Sequence, residues 1–127
     1  MIDVIGTDAG APGSLPAAQQ ELIRAADRVA APKRLQTALR QWLGSDHPEL
    51  ISSDDPRALA TCLKALPSTA AVVVLASGDP LWFGIGRSLS DRLGGERLRF
   101  HPAPTALQLA FARIGRTWQD ASWVSLH

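Results

Sequence analysis

The sequence predicts an α/β fold, a mainly parallel sheet with helices on both faces. Three observations lead there. Short apolar runs alternate with amphipathic stretches along the whole chain, the pattern of successive strand–helix–strand units. The run from Ala70 to Ala76 holds Val72, Val73, Val74 and Leu75 without a polar residue between them, as a strand covered on both faces requires. Glycine- or proline-bearing loops also follow two of the apolar runs, directly ahead of helices.

The elements follow in order. Ile2 to Ile5 reads as a strand running into Gly6, Gly10 and Gly13. Ser14 is placed to cap a helix, with Pro16 in the first turn where a missing N–H is harmless. Leu15, Ala18, Leu22, Ala26 and Val29 then recur at helical spacing. Pro32 opens a second helix with Leu35, Ala38, Leu39, Trp42 and Leu43 on one face, ended by Gly44. Glu49 to Ser52 fits a short strand. Asp54 or Asp55 before Pro56 starts a helix whose buried stripe is Leu59, Cys62, Leu63 and Leu66. After the strand Ala70–Ala76, the loop Ser77–Pro80 opens a helix to about Leu93, closed by Gly94 and Gly95. Arg97 to Phe100 is a strand, Pro104 to Ile114 a helix stopped by Gly115, and Ala121 to Leu126 a last strand.

A length of 127 residues suits one domain with a real core. Thirteen Lys and Arg against twelve Asp and Glu give a net charge of +1, which argues against a nucleic-acid partner needing phosphates neutralised. The single cysteine cannot form an internal disulfide, so the expected compartment is the cytoplasm. No run approaches the ~18 apolar residues of a membrane span, and the N-terminus lacks the pattern of a secretory signal. His47, His101 and His127 lie far apart without the spacing of metal ligands. Trp42 fits a core stripe, and Cys62 reads as a buried structural thiol. Trp118 and Trp123 are expected under the last strand or against a missing neighbour.

In sheets of this kind, ligands sit beyond the carboxyl ends of strands, near a reversal of strand order. Two loops qualify. Gly6-Thr-Asp-Ala-Gly10-Ala-Pro-Gly13 lacks the G-x-G-x-x-G spacing and the Lys-Ser/Thr ending of phosphate loops, and a plain strand-to-helix turn explains it as well as a ligand site. Ser77-Gly78-Asp79-Pro80, followed by Leu81-Trp-Phe-Gly-Ile-Gly86, leaves the most apolar strand. There Asp79 either satisfies its own backbone or accepts from a ligand's hydroxyl or amino group.

Leu75-Ala-Ser-Gly-Asp-Pro-Leu-Trp-Phe-Gly-Ile-Gly86 resembles the signature of the tetrapyrrole methylases, which methylate corrin and sirohaem precursors with S-adenosyl-L-methionine. Ile2-Asp-Val-Ile-Gly6 with Leu15-Pro16-Ala17, and Trp118-Gln-Asp-Ala-Ser-Trp-Val-Ser-Leu-His127, are most similar to the branch acting on precorrin-6Y at C5. The resemblance implies that Ser77, Gly78 and Asp79, with Trp82 beyond, cradle the cofactor. Thr105 and Ala106 match the family's Thr-Ala pair, and Ala9 is the counterpart of a residue lining the cleft. Where many members read Gly-x-Gly-Pro-Gly-Asp, only Gly6 and Gly10 match. Pro32 stands where some relatives carry an acidic residue, so no catalytic base is carried over. A polycarboxylated precorrin-type tetrapyrrole calls for cations, for which Lys33, Arg34, Arg87, Arg113 and Arg116 are candidates, each taken singly better explained by a solvated surface position and so left off the site.

The resemblance further implies two α/β lobes gripping cofactor and substrate, of which these residues match the first. One lobe alone is expected to bind weakly, to transfer little methyl, and to expose an apolar face favouring a homo-oligomer. Rival readings are a superfamily member acting on uroporphyrinogen III, another precorrin, ribosomal RNA or diphthamide, and a noncatalytic ligand-binding or assembly module.

Overall fold

The computed structural model describes residues 1–8 and 12–126. Five strands and five helices alternate: β1 (Ile2–Thr7), α1 (Ala17–Ala25), β2 (Arg28–Ala31), α2 (Lys33–Leu43), β3 (Glu49–Ser52), α3 (Pro56–Ala65), β4 (Val72–Ser77), α4 (Ile85–Leu93), β5 (Leu98–His101) and α5 (Ala106–Ile114). The strands form one sheet in the order β3-β2-β4-β1-β5, and every pairing is parallel.

Both faces of the sheet are covered. On one, Ile5, Val29, Val73 and Leu75 pack against Ile23 of α1 and Leu39 of α2. On the other, Ile2, Val4, Val72 and Val74 meet Leu59 and Leu63 of α3 and Leu89 and Leu93 of α4. Each fully buried Leu, Ile or Val contributes about 1.5–3 kcal/mol relative to exposure. The apolar run of β4 lies between β1 and β2 in the sheet, which is why its successive side chains, pointing to opposite faces, are all hydrophobic. Asp55 caps α3 by accepting from the amides of Arg57 (2.8 Å) and Ala58 (3.2 Å), and these bonds hold its carboxyl below the usual range. No helix of the described residues is long and apolar enough to cross a membrane.

Five expectations need correction. Ser14 does not cap α1: the helix begins at Ala17 after Pro16 with no side-chain cap, and the Ser14 hydroxyl donates to Asp8 Oδ1 (3.2 Å) instead. Helical spacing from Leu15 to Val29 suggests one helix, yet α1 ends at Ala25 and Arg28–Ala31 forms β2. Ala30 and Ala31 are fully buried, and such small residues give no periodicity to separate strand from helix. The helix after Pro80 begins only at Ile85, because residues 81–84 form turns closed by Trp82 N–H to Asp79 O (3.2 Å) and Gly86 N–H to Pro80 O (2.8 Å). Ala121–Leu126 pairs with no strand in the described residues. Cys62 is exposed: it lies one residue, hence about 100°, round α3 from buried Leu63, whereas Ala60 completes the buried stripe. Trp42 does pack, half-buried, against the core of its face, with the Arg24 guanidinium 3.9 Å above its ring.

Candidate functional site

Strand order locates the site. From β1 the chain crosses to β2 and β3 on one side, with α1 and α2 on one face; from β4 it crosses to β5 on the other side, with α4 on the opposite face. Direction and face change together, as they do when every crossover keeps one hand. The reversal falls between adjacent β1 and β4, whose last residues, Thr7 and Ser77, are in register. A cleft of about 320 Å³ opens there, within the usual size range for small-ligand sites.

Its floor is the carboxyl end of the two central strands. Thr7 Oγ1 donates to Ala76 O (2.7 Å), and Gly78 N–H donates to Thr7 O (2.6 Å). Gly78 sits at φ +70°, a left-handed conformation that favours glycine, and a Cβ there would meet nothing within 4 Å. Bare backbone therefore faces open cleft. Gly6, just behind, is fixed by crowding: a Cβ would come within 2.7 Å of both Ala103 Cβ and Gly78 O.

Asp79 braces two loops. Its Oδ1 accepts from Leu81 N–H (2.9 Å), and its Oδ2 from Ala103 N–H (3.2 Å) in the β5–α5 connection. The connection ends in Thr105, whose Oγ1 accepts from Gln108 N–H (3.2 Å) while Gln108 Oε1 accepts from Thr105 N–H (2.8 Å), a reciprocal helix cap. Thr105 and Ala106 form one wall of the cleft, with Pro104 and Leu109 beside them. Trp82 forms another and stands edge-on to Phe83 (centroids 4.9 Å apart) and Trp123 (5.1 Å). Trp118 tilts against Trp123 at 6.5 Å, so both C-terminal tryptophans gather at Trp82 rather than under a strand. Phe83 holds φ +47°, uncommon for a bulky residue.

Ser77, Gly78, Asp79, Trp82, Thr105 and Ala106, six of the seven residues expected at the site, thus line one cleft. Ala9, the seventh, lies outside the described residues. The cleft also takes in Thr7, Asp8, Arg34 and Leu109, which sequence reasoning did not assign. Thr7 and Asp8 follow directly from the rule that strand ends point into such a crevice. Arg34 was one cation among several, and only the β2–β4 pairing brings the start of α2 beside Ser77. Its guanidinium donates to Ser77 Oγ. Of the other cations considered, Arg87 is almost fully exposed and lies 4.0 Å from Asp91.

Asp3 on β1 lies away from the cleft, with 9% of its side chain exposed. Arg99 Nε and Nη2 donate to its two oxygens (2.6 and 3.0 Å), and His101 Nε2 lies 2.7 Å from Oδ1. Burial pushes the Asp3 pKa up, but hydrogen bonds and charges from Arg99 and His101 outweigh it and hold the carboxyl below 3.8.

Residues 1–127 match the family Tetrapyrrole (Corrin/Porphyrin) Methylases, and the chain belongs to that family. It is 50% identical over 56 residues to a precorrin-6Y C(5,15)-methyltransferase [decarboxylating] of Sinorhizobium, a match covering 44% of this chain and 14% of that protein. Over all of its length it is 32% identical to a cobalt-precorrin-7 C(5)-methyltransferase of Salmonella typhimurium, of which it spans 61%. Among solved structures, a cobalt precorrin-4 methyltransferase superposes with a TM-score of 0.71 at 20% identity, covering 91% of this chain and 51% of that one. The chain is therefore shorter than the proteins it matches. The five-stranded parallel sheet with its helices matches the fold of that solved tetrapyrrole methyltransferase.

Proposed function

We propose that this chain is the cofactor-side lobe of an S-adenosyl-L-methionine-dependent methyltransferase that alkylates a ring carbon of a precorrin-type tetrapyrrole in cobalamin biosynthesis, with C5 of precorrin-6Y as the favoured acceptor. One observation carries the reading: residues from three separate segments, ending β1, following β4 and opening α5, converge on one cleft at the strand-order reversal. The 56-residue match to a precorrin-6Y enzyme supports the acceptor.

The cleft suits such a donor. Open space over Gly78 lets a ligand approach the backbone, Trp82, Pro104 and Leu109 offer apolar surface, and the exposed Ser77 offers a hydroxyl. The donor, when bound, supplies a sulfonium methyl group already activated for transfer. The chain's residues then have to hold it, orient it and exclude water, and positioning of this kind supplies several kcal/mol. Asp79 contributes by fixing the β4 loop and the α5 wall at one spacing.

Calorimetry with S-adenosylhomocysteine tests the cofactor assignment. The chain alone is expected to bind more weakly than micromolar, since only part of the enclosure is present, and Ala106→Trp, which fills the cleft from an exposed position, is expected to abolish that binding with the fold retained. Unchanged affinity in Ala106→Trp places the donor elsewhere. Methyl-transfer assays on precorrin-6Y, precorrin-4 and uroporphyrinogen III, run with a second lobe supplied, decide the acceptor.

A further inference from the structure

We propose that Arg34 is a carboxylate-binding residue of the cleft; this rests on the functional reading above and deepens it. Arg34 is the cation lining the cleft, and within hydrogen-bond or ion-pair distance its partner among the described residues is a neutral one, the hydroxyl of Ser77. The two carboxylates that share the cleft are engaged elsewhere: Asp79 with the amides of Leu81 and Ala103, Asp8 with the hydroxyl of Ser14 at 3.2 Å. The placement of Arg34 is also locally unfavourable. It follows Lys33 in the first turn of α2, which holds no acidic residue, and cations there oppose the positive end of the helix dipole. Asp54 Oδ2 offsets part of this by accepting from Lys33 N–H (3.2 Å), but it forms no ion pair with Arg34.

A guanidinium turned to a cleft with donors to spare matches a carboxylate in charge and in its planar, two-pronged geometry. Two carboxylates belong to the proposed reaction. One is on the amino-acid end of the methyl donor, the other on the acetate and propionate arms of the macrocycle. Ser77 holds the guanidinium at the rim of β4, so the incoming anion meets a preset donor pair.

The test is an amide and arginine-side-chain NMR titration of the 13.6 kDa chain, a method that reads binding into the millimolar range. The probes are S-adenosylhomocysteine, 5′-methylthioadenosine (the same nucleoside thioether without the amino-acid end) and the polycarboxylate uroporphyrin, against wild type, Arg34→Gln and Arg34→Lys. Losing a charge-assisted pair is expected to weaken the relevant ligand about tenfold or more, with Arg34→Lys between. A loss confined to S-adenosylhomocysteine, with methylthioadenosine unmoved, assigns the donor's carboxylate; a loss confined to uroporphyrin assigns the acceptor's. Wild type that binds while both variants bind every probe equally overturns the role of Arg34 and leaves the functional reading standing. Wild type that binds none of the three overturns the functional reading and this inference with it. Should Arg34→Gln fail to fold, Arg34→Lys carries the comparison through its loss of the paired geometry.

Discussion

Asp3 and the residues it holds illustrate how single side chains set the frame at one remove from the cleft. Because its carboxyl titrates lower in the folded chain than in the unfolded one, the unfolded state takes up the proton first as pH falls. Its stabilising contribution is therefore full above the ordinary carboxylate pKa and is lost as pH drops through that value toward the folded one. The unfolding free energy of Asp3→Asn from urea titration should lie below wild type near neutrality by about 1–2 kcal/mol, softened because Arg99 is half open to solvent, and the gap should close below about pH 4. A gap independent of pH would mean that the side chain acts by shape alone. At this scale the sequence was informative where site residues are neighbours in the chain, as with Ser77, Gly78 and Asp79. It was silent on the Asp3–Arg99–His101 cluster, whose members come together only through the β1–β5 register. It also left open whether Asp79 served backbone or ligand, and the structure shows two backbone amides on its oxygens.

Among the elements, α5 stands apart. It has a complete cap at Thr105 and Gln108 yet fully buries no residue, with Leu107 and Phe111 only half-buried, so local hydrogen bonds carry much of the helix that walls the cleft. Thr105→Ala removes that cap and should cost about 1 kcal/mol. Hydrogen exchange is expected to quicken throughout α5 while β1 and the buried Val72–Ala76 part of β4 keep their protection. Equal acceleration in β4 would show that α5 is coupled to the core. The helices with glycine, proline or aspartate at their ends were legible because those residues act locally: Asp55 and Pro56 open α3, and Gly44 and Gly94 close α2 and α4. β2 was not legible, since its Val29-Ala30-Ala31 core is strand only by virtue of lying between β3 and β4. The C-terminal stretch failed in the reverse direction. Ala121 to Leu126 is a short, largely apolar run, but β1, which β5 pairs on one side, is the only neighbour β5 has among the described residues.

The molecule as a whole presents one apolar surface out of keeping with its charge. Leu81, Phe83, Trp123 and Val124 are all exposed and lie together round Trp82. Contiguous apolar area of this kind drives association, so light scattering on the chain alone should show mass rising with concentration; a monomer throughout would mean the cluster is tolerated in water. The fold class followed from alternation of period along the chain, whereas the position of the cleft required the strand order, which no local pattern encodes. That order carries a further consequence during synthesis. β1 is made before the other four strands, yet both of its hydrogen-bonding neighbours, Val72–Ser77 and Leu98–His101, come from the second half of these 127 residues. Ile2–Thr7 must wait unpaired until residues 72–77 have been made, while β2 and β3 are available to each other earlier. Long-range pairing of this sort is slow, and the interval before β4 arrives is when a chaperone would matter most.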